Sequence, residues 1–296
     1  MALGAGRLSW KLLEPFGAEV DFDMREPLTE VEQKALANLL YTQGWLRLRN
    51  QKLDREQQRR FNGYFGPVLS EADEANPYVA VEPEKGAFGD LELAWHRDLP
   101  YAEHPFYALS LHALEIDGES WTGFASAARA YQNLPDDMKR RLEGMVLTTA
   151  LPVRSIGRIK PEDVAAPDWP KVHRPLIIPH PITGVPVIMC CPQTAVQIDG
   201  MPYEESEALI LDLLRRVTSE GNYARHYWQT GDMVIWDNVG CLHGRGPLKN
   251  VKKRTLQRVT TGRQSFFQAW PGVDLQKMMQ YALGDAATRT KARASI

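Results

Sequence analysis

Two histidines and an aspartate have the side-chain types of a mononuclear metal site. His96 and Asp98 flank Arg97 directly after Trp95, and residues two apart in an extended chain face the same side. Two histidines and one carboxylate on a triangular face are typical of non-haem iron(II) sites that keep positions open for other ligands. The sequence therefore predicts that His96 and Asp98 supply two ligands and that a second histidine comes from elsewhere.

His243 is the best candidate for the third ligand. It follows an apolar segment that ends in the polar turn Asp237-Asn238. Because it lies far from Asp98 in sequence, only a fold that brings distant strands together can unite the ligands. Taken alone, a histidine two residues from an aspartate is common on protein surfaces, so the prediction depends on the residues that follow His243.

Two arginines follow His243 on a segment that is typical of a strand. Arg254 and Arg258 are four residues apart, so both would lie on one strand face, roughly 13 Å apart along it. Arginine holds carboxylates by paired hydrogen bonds, and two arginines that face inward would bind anions. The neighbouring Lys252 and Lys253 leave open the alternative of an exposed basic edge.

Short apolar segments supply the framework that must position these residues. Runs bounded by turn residues predict strands at 45–49, 106–116, 175–178, 185–189, 223–228, 232–236 and 254–261. Apolar periodicity with capping or terminating residues predicts helices at 29–43, 54–64, 135–144 and 202–220. No internal repeat or low-complexity linker divides the chain, so we expect residues 1–296 to form one mainly β domain with peripheral helices.

Two long segments without clear periodicity interrupt this framework. Residues near 71–90 and 151–174 contain prolines and charges, and such segments in a compact domain are usually lids, binding loops or disordered. We therefore expect two flexible lid-type insertions. The small, basic tail 284–296 is expected to fray.

The overall charge and the cysteine content narrow the class of partner. The 35 lysines and arginines nearly balance the 37 aspartates and glutamates, for a formal net charge of −2, so no strong field attracts nucleic acid or an anionic membrane. We expect a small-molecule partner, and the sequence leaves homo-oligomer formation open.

Three cysteines, of which Cys190 and Cys191 are adjacent, argue against a disulfide framework. With no apolar run of signal-peptide or membrane-span length, we expect a cytoplasmic protein.

Two other interpretations of the motif residues are weaker. The segment 96–99, His-Arg-Asp-Leu, matches the start of a protein-kinase catalytic loop, but Glu103 stands where that loop needs an asparagine. A zinc site that uses Cys241 with His243 would need further close ligands. We therefore keep the iron(II) interpretation.

The chain resembles the taurine dioxygenase and 2,4-dichlorophenoxyacetate dioxygenase family of iron(II)- and 2-oxoglutarate-dependent oxygenases. The likeness runs from about Leu28 to Arg263. The parts that carry it come in family order: Gly44-Trp45, Leu53 to Gly66 followed by Pro67, Trp95-His96 with Asp98, Thr122 followed by Ala130-Tyr131 and Leu134-Pro135, Gly231-Asp232 leading to Trp236-Asp237-Asn238, His243, Arg254 and Arg258.

The resemblance implies a fold and a set of ligands. It implies a double-stranded β-helix, a cupin-like jelly roll, which would bring His243 to His96 and Asp98 as the three iron ligands. It also implies that Arg254 pairs with the distal carboxylate of 2-oxoglutarate and that Thr122 supports the same co-substrate.

Other positions match the family pattern less closely. Arg258 matches an arginine that faces the anionic end of the substrate in taurine dioxygenase, and it is a candidate for binding either the co-substrate or the substrate. Ser120 is a rival for Thr122, because the alignment there needs a one-residue gap. Glu92 stands where taurine dioxygenase has an amide that contacts substrate, and Glu92 and Tyr101 are candidate substrate-binding residues.

The activity that the resemblance implies is the oxidation of an unactivated C–H bond with O2. The co-substrate would be converted to succinate and CO2, and hydroxylation of a small or medium organic, anionic substrate is the expected outcome. Desaturation, cyclisation or fragmentation of the substrate would use the same ligands and stay alternatives. A non-catalytic binding protein on the same scaffold is a more distant one.

Overall fold

Strands outnumber helices in the part of the chain that this computed structural model describes, residues 3–70, 77–81, 87–88, 90, 92–152, 158–248 and 250–273. The strands are β1 (Leu3–Ala5), β2 (Leu8–Leu12), β3 (Ala18–Asp21), β4 (Trp45–Leu48), β5 (Tyr78–Ala80), β6 (Ala87–Phe88), β7 (Leu93–His96), β8 (Ala108–Asp117), β9 (Trp121–Ser126), β10 (Val146–Ala150), β11 (Lys171–Pro175), β12 (Ile177–Pro179), β13 (Pro186–Ile188), β14 (Ala195–Ile198), β15 (Tyr223–Tyr227), β16 (Met233–Asp237), β17 (Cys241–Arg245) and β18 (Lys253–Thr261). The helices are α1 (Glu30–Gln43), α2 (Arg55–Gly63), α3 (Ala127–Gln132), α4 (Asp136–Leu142), α5 (Tyr203–Val217) and α6 (Phe266–Ala269).

The four predicted helices are confirmed as α1, α2, α4 and α5, and capping explains two of the boundaries. At the start of α1 the Thr29 side chain accepts a hydrogen bond from the Glu32 backbone N–H, and the Glu32 side chain accepts one from the Thr29 backbone. Asp54 and Gln57 repeat this arrangement at the start of α2. Such a reciprocal pair satisfies donors that the first helical turn leaves without partners. α3 and α6 were not predicted.

One predicted strand needs correction, and the two predicted insertions contain strands that were not predicted. The predicted strand 175–178 is split, because the backbone of the buried Leu176 leaves the ladder to bond Met145 and Met189. The segment 151–174 ends in β11, which pairs with β10 over five residues. The segment 71–90 contains β5, which pairs with β18. Parts of both segments, 71–76, 82–86, 89 and 153–157, and the whole tail 284–296 lie outside the described residues.

Two sheets carry the centre of the molecule. The major sheet has nine strands in the order β1-β2-β3-β4-β16-β8-β18-β5-β6, and the minor sheet has four in the order β15-β9-β17-β7. Two smaller sheets, β11-β10-β14 and β12-β13, complete the described strands. Neighbours such as β4 and β16, or β9 and β17, are distant in sequence, so this order brings together residues from both halves of the chain.

An aromatic core lies between the major and the minor sheet. Trp45 of β4 stacks on Phe124 of β9 with ring centroids 5.0 Å apart, and Phe124 also contacts Trp236 of β16 at 5.6 Å. Because strand residues alternate between faces, the neighbours of these residues point outward. Ile235 packs under α1 and α2, and Ala125 packs under α3 and α5. The predicted mainly β fold with peripheral helices is confirmed at this level.

The helices differ from membrane-spanning ones. None of those in the described part of the chain combines the length with the apolar composition that a bilayer crossing requires.

Candidate metal centre

The register of two minor-sheet strands places the predicted histidine ligands side by side. β7 and β17 are antiparallel neighbours, and His96 lies directly opposite His243. Directly opposed residues point to the same face of a sheet, with their side chains close together. The two imidazole rings have centroids 4.1 Å apart. β9 flanks β17 on its other side, so the pair is held in the sheet by backbone hydrogen bonds.

Asp98 completes a compact group of three possible ligands. Its Oδ1 lies 3.4 Å from His96 Nε2 and 3.7 Å from His243 Nε2. One ligand atom from each residue lies within 4.8 Å of the other two, and among the described residues no other group of three histidine, cysteine or acidic side chains is arranged to hold a metal. Neighbouring ligands of an octahedral ion with bonds of about 2.1 Å lie roughly 3 Å apart, so the residues fit a divalent ion.

Each of the two histidines has a feature that suits metal binding. His96 Nδ1 lies 2.7 Å from the Ala94 carbonyl oxygen. A metal-binding histidine usually donates its second ring N–H to such an acceptor, which fixes the ring. Burial, followed by the neighbouring His96, holds the pKa of His243 well below its usual range, so its ring is neutral and can coordinate.

Asp98 is charged despite its partial burial. Burial raises the pKa of this carboxyl, but the Arg258 guanidinium and the two histidines outweigh burial and hold the pKa well below its usual range. Arg258 Nη2 donates to Asp98 Oδ2 over 3.1 Å. The carboxylate is thus available to a cation at neutral pH.

Arg97, which lies between two of the possible ligands in sequence, is buried. Its guanidinium donates to three backbone carbonyls, those of Val239 at 3.0 Å, Cys190 at 3.2 Å and Ile188 at 2.8 Å. The carbonyl of Val239 belongs to the turn between β16 and β17. Arg97 therefore links the loop that holds Asp98 to the turn that precedes His243.

Asn238 makes the reverse connection. Its Oδ1 accepts a hydrogen bond from the Asp98 backbone N–H at 2.9 Å, and its Nδ2 donates to the Asp98 carbonyl at 2.9 Å. We call these contacts of Arg97 and Asn238 the ligand clasp. Sequence reasoning missed the clasp, although the position of Asn238 in the turn before His243 was visible.

Arg254 and Arg258 both face the pocket beside the ligands. The pocket is lined by Val79, Leu93, His96, Asp98, Leu109, Leu111, Thr122, Trp236, His243, Gly244, Arg245, Arg254 and Arg258. Only 1% of Arg254 is exposed, and its Nε and Nη1 have no hydrogen-bond partner among the described residues. Burial, and then the nearby Arg245, hold the pKa of Arg254 well below its usual range. A buried cation in this state favours an anionic ligand.

Arg245 is a pocket residue that sequence reasoning missed. It lies in β17 two residues after His243, and alternation along a strand gives both side chains the same face. That spacing is the signal that could have identified it.

The remaining predicted site residues differ in their distance from the pocket. Thr122 lines it, and its Oγ1 accepts a hydrogen bond from Trp228 Nε1 at 2.9 Å. Its rival Ser120 is buried and does not line the pocket. Tyr101 packs against Phe266 near the ligands, and burial, with Asp98 next, raises its pKa. Glu92 is exposed and does not line the pocket, so the structure does not bring it to the ligands.

The cysteines do not join the ligand group. Cys241 is buried, and its Sγ lies 3.8 Å from the Gly44 carbonyl oxygen. Cys190 and Cys191 are also buried, and all three thiols are free. The group that could hold a metal contains His96, Asp98 and His243 without a cysteine, which argues against the zinc alternative.

A pocket with two histidines, one carboxylate and buried arginines, set between β-sheets, defines a metal-dependent enzyme that takes an anionic small molecule. Its family is known from comparison with other proteins. The chain belongs to the taurine catabolism dioxygenase TauD, TfdA family, whose model matches residues 9–260. The predicted family and enzyme class are thereby confirmed.

Individual relatives are similar over most of their length. The alpha-ketoglutarate-dependent 2,4-dichlorophenoxyacetate dioxygenase of Cupriavidus pinatubonensis is 27% identical over 272 residues, which cover 81% of this chain and 92% of the relative. The (S)-phenoxypropionate/alpha-ketoglutarate-dioxygenase of Sphingobium herbicidovorans is 28% identical over 228 residues, which cover 70% and 78%. The crystal structure of a taurine dioxygenase from Burkholderia xenovorans superposes with a TM-score of 0.71 at 23% identity and covers 87% of this chain and 91% of that one, which shows a shared fold.

Proposed function

We propose that this chain is an iron(II)- and 2-oxoglutarate-dependent dioxygenase that hydroxylates an unactivated C–H bond of a small or medium, anionic organic substrate. One observation carries the proposal. The three possible metal ligands converge to within 4.8 Å of one another, beside a pocket whose wall includes the buried Arg254. A facial triad with open positions suits iron(II) and O2, and a buried guanidinium suits a carboxylate.

Five of the predicted residues bind the metal and the co-substrate in this function. His96, Asp98 and His243 hold the iron, while Arg254 and Thr122 bind 2-oxoglutarate. The major and minor sheets, which face each other across the aromatic core, form the double-stranded β-helix of this family. In this assignment Thr122 is preferred to Ser120, because only Thr122 of the two lines the pocket.

Bound iron with 2-oxoglutarate supplies the oxidising chemistry, with O2 as oxidant and succinate and CO2 as products. The chain's own residues position and protect the reactants. The ligand clasp fixes Asp98 and the turn before His243, and Phe124 and Trp236 fill the space behind the ligands. Such packing keeps water from the site and restricts the motion of the reactants.

The free donors of Arg258 favour a substrate that carries a negative charge. Arg258 Nη2 donates a hydrogen bond to Asp98 Oδ2 over 3.1 Å. The other N–H donors of the guanidinium can therefore bind a further anion. The relatives named above are dioxygenases of 2,4-dichlorophenoxyacetate and (S)-phenoxypropionate, compounds that carry a carboxylate and an aromatic ring. We propose an aryloxy acid or a comparable aromatic anion as substrate. Substrate contacts by Tyr101 and Glu92 stay predictions.

Anaerobic titration tests the metal and co-substrate assignment. Iron(II) and 2-oxoglutarate added to the folded chain are expected to give a weak visible charge-transfer band, and Asp98→Ala is expected to abolish it. Arg215→Ala, on the exposed side of α5 and remote from the pocket residues, is the matched control and should retain the band. A folded wild-type chain without the band, or an undiminished band in Asp98→Ala, contradicts the proposal.

Turnover with candidate substrates tests the reaction type. Oxygen is admitted to the loaded enzyme with 2,4-dichlorophenoxyacetate, phenoxypropionate or taurine, and succinate and the organic product are measured. A product with one added oxygen atom, or the fragments that an unstable hydroxylated product releases, supports hydroxylation. A product that has lost two hydrogens instead indicates desaturation. Succinate formation that none of the anions stimulates contradicts the substrate class.

A further inference from the structure

A buried histidine and a buried aspartate meet at the end of β16. Asp237, the last residue of β16, is 2% exposed, and His180, in the loop between β12 and β13, is 3% exposed. His180 Nε2 lies 3.1 Å from Asp237 Oδ2 and 3.2 Å from Asp237 Oδ1. Neither side chain lines the pocket beside the metal ligands. Any effect of this pair on the metal centre is therefore transmitted by other residues.

The surroundings of the His180 ring determine which of its nitrogens carries the proton. The backbone N–H groups of Ile182 and Thr183 both donate to Nδ1, each over 3.2 Å. Because a backbone N–H can only donate, Nδ1 is an acceptor and carries no proton. The proton is then on Nε2, which donates it to the Asp237 carboxylate. The loop between β12 and β13 thus fixes the ring, and the ring binds Asp237.

The Asp237 carboxylate shapes the turn that leads from β16 to β17. Its Oδ1 accepts a hydrogen bond from the Val239 backbone N–H at 3.0 Å. At Gly240 an added Cβ would collide with Asp237 Oδ2, so the carboxylate lies directly against the backbone of this residue. The carboxylate therefore contacts the turn at two successive residues, and its position determines the path of the chain between the two strands.

The same turn contacts both of the segments that carry metal ligands. Asn238 binds the backbone of Asp98 through its Oδ1 and its Nδ2, and the Val239 carbonyl accepts a hydrogen bond from Arg97. β17, which carries His243, begins directly after the turn. A displacement of the turn would therefore move Asp98 and His243 relative to each other.

We propose that His180 is a positioning residue of the metal centre, which holds the turn 238–240 in place through the Asp237 carboxylate. This inference rests on the proposed function, because the arrangement of the ligands has this consequence only if a metal binds there. Groups that orient metal ligands from outside typically contribute about 10–100-fold to metal affinity. The alternative is that His180 only attaches the loop between β12 and β13 to the fold, in which case its loss lowers stability alone.

Two variants of His180 separate these roles, because each retains one of the two links of the ring. Asparagine places its side-chain oxygen near the position of Nδ1, so His180→Asn keeps an acceptor for Ile182 and Thr183 but loses the donor to Asp237. Glutamine is one bond longer and places an N–H near the position of Nε2, so His180→Gln keeps the donor and loses the acceptor. Both variants should lose stability in urea unfolding.

Titration of the metal-free chain with manganese(II) measures the effect on the site without turnover. We expect the dissociation constant to rise at least about tenfold in His180→Asn and to stay within about threefold of the wild type in His180→Gln. His226→Asn is the matched control, because His226 is also buried, lies 3.1 Å from Asp232 directly before β16 and does not line the pocket. It should lose stability but keep its metal affinity within about twofold.

The results that contradict the inference differ from those that contradict the proposed function. Wild-type metal affinity in folded His180→Asn overturns the inference. Equal losses of affinity in His180→Asn and His180→Gln, or in His180→Asn and His226→Asn, overturn it as well. A wild-type chain that does not bind manganese(II) refutes the proposed function and with it this inference, whereas the other results refute this inference alone.

The His180 ring can also be observed in the wild type if the variants do not fold. Nitrogen NMR of the metal-free chain distinguishes a protonated ring nitrogen from an unprotonated one. We expect His180 to carry its proton on Nε2. A proton on Nδ1 overturns the inference, because the loop between β12 and β13 would then not hold the ring in the orientation that binds Asp237.

Discussion

Replacement of Asn238 by alanine is expected to weaken both the fold and the metal site. Asn238 is fully buried, and its amide makes three hydrogen bonds, with the Asp98 N–H at 2.9 Å and the carbonyls of Asp98 at 2.9 Å and Phe106 at 3.0 Å. A buried hydrogen bond contributes about 1 kcal/mol, and an orphaned buried polar group costs about 1–3 kcal/mol. Asn238→Ala should therefore lower the free energy of unfolding by roughly 3–5 kcal/mol.

The effect on metal binding follows from the same contacts. Two of the three bonds fix the backbone of Asp98, and loss of groups that orient a metal ligand typically costs about 10–100-fold in metal affinity. Urea unfolding of the metal-free chain measures the stability. Titration with manganese(II) or iron(II) below the unfolding transition measures the affinity.

Asn62→Ala is the matched control for Asn238→Ala. Asn62 is also fully buried, donates to the Val259 carbonyl at 3.1 Å and accepts from Ser110 at 2.6 Å, and it does not line the pocket. Both variants should lose stability, but only Asn238→Ala should lose metal affinity. The reasoning fails if the metal affinity of folded Asn238→Ala stays within about twofold of the wild type, or if Asn62→Ala loses as much.

Further substitutions test other parts of the site. Arg258→Ala should raise the KM of an anionic substrate at least about tenfold with little change in the binding of 2-oxoglutarate, and steady-state kinetics that show no rise would contradict this role. Arg97→Met leaves three carbonyls without their donor and should lower stability by roughly 2–4 kcal/mol; urea unfolding that matches the wild type would refute it. Burial lowers the pKa of His226 even though its Nε2 lies 3.1 Å from Asp232 Oδ2. As the pH falls, His226 therefore takes up a proton near pH 6.5 in the unfolded chain, but only at a lower pH in the folded chain. The free energy of unfolding of the wild type should then fall more steeply below about pH 6.5 than that of His226→Gln. Equal slopes in thermal unfolding between pH 7.5 and 5.5 would contradict this.

The ligand residues could be predicted because their spacing in the sequence corresponds to their arrangement in the structure. β7 ends at His96 and Asp98 lies in the loop that follows, yet the two side chains lie side by side, as their spacing predicts. The arginines that follow His243 both lie in β18, with the spacing of a single strand face. What the sequence could not supply was the register between β7 and β17. That register depends on hydrogen bonds between distant segments, and a shift by one residue would turn His243 to the opposite face.

Tertiary contacts also explain the residues and elements that were missed. The interior position of Arg245 follows from the register of β17, and the ligand clasp depends on contacts between segments far apart in sequence. The predicted strand 175–178 was wrong because its apolar run is divided by Leu176, whose backbone pairs elsewhere. β5 was overlooked within 71–90, since a strand of three residues is too short for periodicity to reveal it.

The reaction of the three buried cysteines with a thiol reagent would report local unfolding of the chain. Burial raises the pKa of Cys190 to about 12 and raises those of Cys191 and Cys241, and the thiolate is the form that reagents attack. A thiol reagent should therefore modify only molecules that have transiently opened. Cys190 and Cys191 contact Arg97, whereas Cys241 lies against Gly44 at the end of α1. Their separate labelling rates would distinguish loosening of the ligand loop from unfolding of the sheet, without any introduced probe.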